Sequence, residues 1–159
     1  MKLIKLALLS VIILFIVSLL ISLLIPSQVR VSRAVNLESG QDDVLHYIAD
    51  TTQWPAWHPG WKNDSGRRPV TGTRIMAHND SVLVMQLQQA GKRPVTSAWQ
   101  IHRYPATDSV TLQWYMDFTL GWLPWQKFSS LFFEATYGTM IEEGLTNLKR
   151  TRERGKFPG

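Results

Sequence analysis

Between Leu6 and Ile25 the chain runs for twenty residues without a charge; seventeen are apolar and the others are Ser10, Ser18 and Ser22. A stretch that is apolar on every face has no polar side to show to water, so it does not read as the helix of a soluble core. At 1.5 Å per residue its length matches a hydrocarbon layer of roughly 30 Å. Pro26 stops it. After Pro26 the pattern turns periodic. Val29–Asn36 sets Val29, Val31, Arg33 and Val35 against Arg30, Ser32, Ala34 and Asn36, which predicts a strand. Val44, Leu45, Ile48 and Ala49 give a short helix one apolar face. Ser39 is its candidate N-cap, and Asp42 and Asp43 suit its positive end.

From Gly72 onward the alternation predicts a β-meander with strands at Thr73–Ala77, Ser81–Gln89, Val95–Tyr104 and Ser109–Thr119. The turns between them fall at His78–Asp80, Gln89–Lys92 and Pro105–Asp108. The last strand is the clearest: Val110, Leu112, Trp114, Met116 and Phe118 share one face, with Thr111, Gln113, Tyr115 and Asp117 on the other. One dry face and one wet face is the signature of an antiparallel sheet. From Gln126 to about Arg154, Phe128, Leu131, Ala135, Gly138, Ile141, Leu145 and Leu148 recur by threes and fours. That predicts one amphipathic helix of roughly 40 Å. Gly138 lies on the stripe and Gly144 beside it. Each costs about 1 kcal/mol against alanine, so close approach to the sheet, or room for a ligand, is expected there. Ahead of the meander, Trp54-Pro55-Ala56-Trp57-His58-Pro59-Gly60-Trp61 reads as a rigid aromatic loop. The order of elements gives an α+β fold: a curved antiparallel sheet wrapped around one long C-terminal helix, with an N-terminal transmembrane helix ahead of it.

Composition narrows this further. The chain has 159 residues, is 45% hydrophobic and contains no cysteine. A disulfide scaffold, a thiolate metal site and a cysteine nucleophile are thereby excluded. One long apolar run also argues against a polytopic transporter. The expected division is a membrane anchor at 1–26, a soluble domain at 27–154 and a short tail at 155–159. A cleavable signal peptide is the alternative for the first segment. Its apolar region is longer than such peptides carry, and Leu24-Ile25-Pro26-Ser27-Gln28 is a poor cleavage site. Lys2 and Lys5 precede the run, so the positive-inside rule places the N-terminus in the cytoplasm and the domain on the extracytoplasmic side. The net charge of +5 includes a cluster of Lys149, Arg150, Arg152, Arg154 and Lys156. At the end of a helix such charges complement the dipole and stay solvated. With no recognition motif beside them, they do not predict nucleic-acid binding.

The element order, with "DTTQWPAWHP" after the first short helix, "LPWQKF" opening the last helix and "GTMIEEGLTNLKRTRE" along it, resembles the helix-grip (SRPBCC) superfamily. The resemblance is to its polyketide cyclase/dehydrase-like branch, related to START and Bet v 1-like proteins, and it covers about Gln28 to Glu153. It implies a seven-stranded sheet gripping the C-terminal helix, with an apolar cavity for lipid-like or polyketide-like molecules. Two strands beyond the five read above are then expected in Trp61–Thr71 and around Leu120–Trp125. The superfamily has no universal catalytic set, so the resemblance carries no catalytic residue over.

The chemistry-bearing residues are sparse. His46, His58, His78 and His102 show no metal-ligand spacing, and neither a metal nor a cofactor is expected. His58 is the weak candidate for a general base, because it lies in the tryptophan loop at a possible pocket mouth. Ser97 shares the inward face of its strand with Trp99. The seven tryptophans are the strongest hint. They could fill a core, line a pocket or, in the loops, sit at a membrane interface. The expected ligand contacts are Trp57, Trp61, Met85, Leu87, Trp99, Trp114, Met116, Phe128, Leu131 and Ala135. The expected partners are a hydrophobic small molecule and the membrane. The alternatives are a cyclase- or dehydrase-type enzyme using acid/base chemistry in the same cavity, and a non-catalytic interaction module.

Overall fold

The structure, a computed structural model, describes residues 2–37, 43–61, 70–89, 91, 93–104 and 109–154. The apolar run is helix α1 (Lys2–Leu24), long and apolar enough to cross a membrane and almost wholly exposed along its length. Strand β1 (Gln28–Leu37) follows, then the short helix α2 (Val44–Ala49). The tryptophan segment is a chain of single turns: a 3-10 turn at Thr51–Gln53, α3 (Trp54–Trp57) and a second 3-10 turn at Pro59–Trp61. Pro55 sits in the first turn of α3, where its missing N–H costs nothing. Asp50 caps the first of these turns, accepting from the N–H and the hydroxyl of Thr52. Those bonds hold its carboxyl below the usual range. The predicted loop is therefore a folded aromatic module. The predicted N-cap Ser39 lies outside the described residues, and Asp43 makes no side-chain cap.

Strands β2 (Val70–His78), β3 (Val82–Gln89), β4 (Val95–Arg103) and β5 (Val110–Thr119) form the meander, and β1 closes it in the order β1-β5-β4-β3-β2. Every pair is antiparallel. The alternation sets the register: Leu112, Trp114, Met116 and Phe118 face inward and are buried. Asn79 makes the β2–β3 turn by accepting from the N–H groups of Ser81 and Val82. Gly91, at φ 70°, supplies the left-handed residue of the β3–β4 turn. The strand expected around Leu120–Trp125 does not form. Leu120–Leu123 is irregular and Pro124 opens α4 (Pro124–Ser129). The other expected strand falls on 62–69, outside the described residues, with Val70 and Thr71 already in β2.

The C-terminal rod is helical from Pro124 to Arg154 but changes its winding. After α4 come a 3-10 turn (Ser130–Phe132), a π segment (Glu134–Gly138) and α5 (Thr139–Arg154). A 3-10 turn takes three residues per turn instead of 3.6, so the inward face slips out of the phase that the sequence stripe predicts. Lys127, Ser130, Phe133 and Tyr137 turn inward, whereas Leu131 and Ala135 are exposed. Beyond the π segment the stripe recovers, and Ile141, Leu145 and Leu148 are buried against the sheet as expected.

Both helix glycines mark close approaches. A Cβ on Gly144 would lie 2.6 Å from the Trp114 ring and 3.1 Å from Pro59. At Gly138 it would meet the Arg33 guanidinium, which pairs with Glu134 at 2.6 Å and ties β1 to the rod. Trp114 is fully buried and cannot swing away. Gly144→Ala is therefore expected to destabilise the full-length chain by about 1–3 kcal/mol, read as a lower denaturation midpoint in detergent micelles. Unchanged stability would mean that α5 slides freely on the sheet.

Candidate functional site

Each of Trp54, Trp57, Trp99 and Trp114 is fully buried in one block. Trp99 and Trp114, paired in register on β4 and β5, stack at 5.3 Å. Trp57 meets Trp114 edge to face at 5.7 Å, and Trp54 meets Trp61 the same way at 5.2 Å. Each large ring removes roughly 150–250 Å² from water, so this block fills the half of the grip beneath α3 and α5. Two of its polar hydrogens are well placed: Trp54 Nε1 donates to the Ile48 carbonyl and Trp114 Nε1 to Ser97 Oγ, at 2.8 and 2.7 Å. The tryptophan positions decide one open question directly. Trp54 and Trp57 are core, and the exposed loop tryptophans are Trp122 and Trp125.

His58 belongs to this block. Its ring stacks on Trp54 at 4.8 Å with 7° between planes, and it is 3% exposed. Nδ1 accepts from the Gly60 N–H at 3.1 Å. The neutral ring thus carries its hydrogen on Nε2, which has no partner, as Trp57 Nε1 and Trp99 Nε1 have none. Burial pulls the His58 pKa down to about 4, because the apolar rings cannot solvate a cation. A general base must reach its substrate's proton within about 3 Å, and His58 does not line the cavity described next.

The open space lies at the other end of the grip. A half-open cavity of about 470 Å³ separates the end of β5 from the α4–π stretch of the rod. Its apolar wall includes Phe118, Phe133 and Tyr137, whose rings meet one another at 4.5–5.4 Å, together with Val95 and Leu120. Its polar edge is Arg93 and Gln126. Gln126 Oε1 is buried and unpaired. It lies against Gly121, where any Cβ would collide with it. Arg93 is exposed and forms no ion pair among the described residues. A smaller cavity of about 260 Å³ at the opposite end is bordered by His46, His78, Asp80 and Arg103.

The expected ligand contacts sit elsewhere. Met85, Leu87, Trp99, Trp114, Trp57 and Met116 are buried in the core, Trp61 and Phe128 are half-buried, and Leu131 and Ala135 face outward. None of them lines the larger cavity. The inward turn of Phe133 and Tyr137 follows from the change of winding, and Arg93 and Gln126 come from two separate segments, so no periodicity in the sequence marks these four residues. Gly121, three residues ahead of Pro124, is the sequence signal of tight packing there.

This cavity end is also where the apolar helix enters the domain. Only Ile25, Pro26 and Ser27 separate α1 from β1. The buried Lys127 of α4 donates from Nζ to the Ile25 carbonyl at 2.6 Å and to Ser27 Oγ at 3.1 Å. The Leu120 N–H donates to the Ser27 carbonyl at 2.8 Å. A cation at the last carbonyls of a helix completes their hydrogen bonding and opposes the dipole.

No family model matches the chain, and no curated protein matches it in sequence. Solved structures match it in shape. A START superfamily protein from Mycobacterium smegmatis aligns with TM-score 0.54 and 16% identity over 79% of this chain and 97% of its own. The di-domain ARO/CYC protein BexL from the BE-7585A biosynthetic pathway aligns with TM-score 0.61 and 10% identity, over 82% of this chain and 48% of its own. The di-domain ARO/CYC protein StfQ from the steffimycin pathway gives 0.57 and 13%, over 82% and 52%. The chain therefore has the helix-grip fold of START-like and polyketide cyclase-like proteins.

The buried histidine generates a pH prediction. Its folded pKa lies below the unfolded value of about 6.5, so between those two values the unfolded chain binds a proton that the folded chain refuses. Stability is full above pH 6.5, falls as pH drops toward 4, and has lost about 3 kcal/mol there. Denaturant titrations across that window should show this loss, and a His58→Gln variant should show a shallower one. An NMR midpoint for His58 near 6.5 would contradict the assignment.

Proposed function

We propose that this chain is a single-pass, membrane-anchored helix-grip domain that binds a hydrophobic amphiphile in the cavity between β5 and the C-terminal rod. In this reading 1–26 is the anchor, 27–154 the binding domain on the extracytoplasmic side, and 155–159 a tail. The observation that carries it is the cavity of about 470 Å³, walled by Phe118, Phe133 and Tyr137 and edged by Arg93 and Gln126. That volume falls in the range of small-molecule sites, about 300–1,000 Å³, and so does the pattern of an apolar wall with a few polar groups. An acyl or polycyclic body suits the wall. An anionic head suits the Arg93 guanidinium, and a hydroxylated head can donate to the unpaired Gln126 oxygen. The fold shared with START-like and ARO/CYC proteins is consistent with such a ligand. Among the described lining residues the titratable ones are Arg93 and Tyr137, so the cavity favours binding over carboxylate- or histidine-based catalysis.

The test is photo-crosslinking of the full chain in lipid nanodiscs with a diazirine fatty acid, followed by peptide mass spectrometry. Adducts are expected on the segments carrying Phe118, Phe133 and Tyr137, and competition by unlabelled fatty acid should remove them. Arg93→Ala is expected to weaken labelling by the acid about fivefold, the scale of one partly exposed charge-assisted contact. Labelling by the matching fatty alcohol should change little. Adducts confined to α1, with none on the cavity wall, would dismiss the reading.

A further inference from the structure

Four large apolar side chains are exposed at the cavity end: Trp122 at 72%, Trp125 at 59%, Leu131 at 64% and Phe132 at 70%. They are two neighbouring groups on one continuous stretch. Trp122 lies in the β5–α4 connection and Trp125 in the first turn of α4. Trp125 and Phe132 both project from the rod away from the inward-turned Lys127, Ser130 and Phe133. Exposed apolar patches of this kind on a folded domain mark contact surfaces.

What covers this one follows from the anchor. Three residues between α1 and β1 span at most about 11 Å, and Lys127 and Leu120 bond Ile25 and Ser27 so that the link cannot pay out. The end of the domain that carries Gln28 must therefore lie against the surface from which α1 emerges. In register that end holds Gln28 opposite Thr119, the Leu120–Leu123 connection and α4. The opposite end, with the Asn79 turn and the Arg152–Asp43 ion pair, points away. Cavity and patch interleave at this seat: Gly121 and Gln126 line the cavity, and Trp122 and Trp125, their neighbours in sequence, are exposed. We infer that Trp122, Trp125, Leu131 and Phe132 form a bilayer-docking face that seats the domain in the lipid headgroup region, with the cavity mouth at the lipid surface. Tryptophan favours that layer because its ring is apolar and its N–H can stay hydrated. The inference rests on α1 being a membrane span. It does not need the cavity to be occupied.

The chain has no cysteine, so single cysteines can be introduced without a background. Trp122→Cys, Trp125→Cys, Phe132→Cys and, as control, Asp80→Cys are spin-labelled in the full chain. The variants are reconstituted in vesicles of phosphatidylcholine and phosphatidylglycerol. Relaxation by oxygen against a water-soluble nickel complex is expected to favour oxygen severalfold at 122, 125 and 132 relative to 80. As a second measurement on the unaltered tryptophans, brominated lipids should quench the parent chain, and Trp122→Phe/Trp125→Phe together should abolish most of that quenching. Water-like relaxation at all four positions, in a chain that withstands a carbonate wash, overturns the docking face alone. Dipolar broadening between labels in separate chains assigns the patch to a second copy and also overturns it. A chain that washes off the vesicles overturns the anchor and the docking face together.

Discussion

The packing of four tryptophans and His58 into one dry block is the constraint from which the rest of the architecture follows. The block needs α5 to come within contact of the Trp114 ring, and Gly144 is the residue that permits it. It needs the Trp54–Trp61 segment to fold back as short turns, since an extended loop could not present Trp54, Trp57 and His58 to the same pair of strands. It leaves three ring hydrogens without partners, on Trp57, His58 and Trp99. Such orphans cost about 1–3 kcal/mol each, so the burial of the rings outweighs a substantial polar penalty. Because this half of the grip is solid, open volume between sheet and rod survives at the other end.

That other end is organised by a different kind of interaction. Lys127 is buried with no carboxylate partner among the described residues, and its charge is met by a helix terminus and a hydroxyl. The arrangement joins the apolar helix, the first strand and the rod at one point. It couples the direction of α1 to the sheet, which a free linker would not do. The ion pairs elsewhere are peripheral by comparison. Arg30 grips Asp117 with two bonds across β1 and β5, but both are exposed, and such a pair contributes about 1 kcal/mol or less.

Much of the fold was legible in the sequence. Alternation located the meander strands and their inward faces, because a sheet with one dry face enforces a two-residue period residue by residue. The apolar run of α1 and the burial of Ile141, Leu145 and Leu148 were legible for the same reason. The candidate site was not. Its wall depends on Phe133 and Tyr137 turning inward in place of Leu131 and Ala135, and that follows from a change in helical winding with no marker at those positions. Its polar edge draws Arg93 from the β3–β4 connection and Gln126 from α4, two segments far apart in the chain. Periodicity describes neighbours along one element, and this cavity is made where several elements end. The tryptophan segment shows the converse: two prolines and a glycine mark irregular backbone, as found, but irregular backbone is as buried as a strand when its side chains are large rings.

The three-residue link has a further consequence. Under the proposed anchoring, the cavity can sample only the leaflet in which α1 ends. Exchange with ligand then becomes a search in two dimensions, governed by how fast lipids diffuse laterally and by the make-up of that one monolayer. Two cells with the same total pool of an amphiphile but different transbilayer asymmetry would present this domain with different supplies.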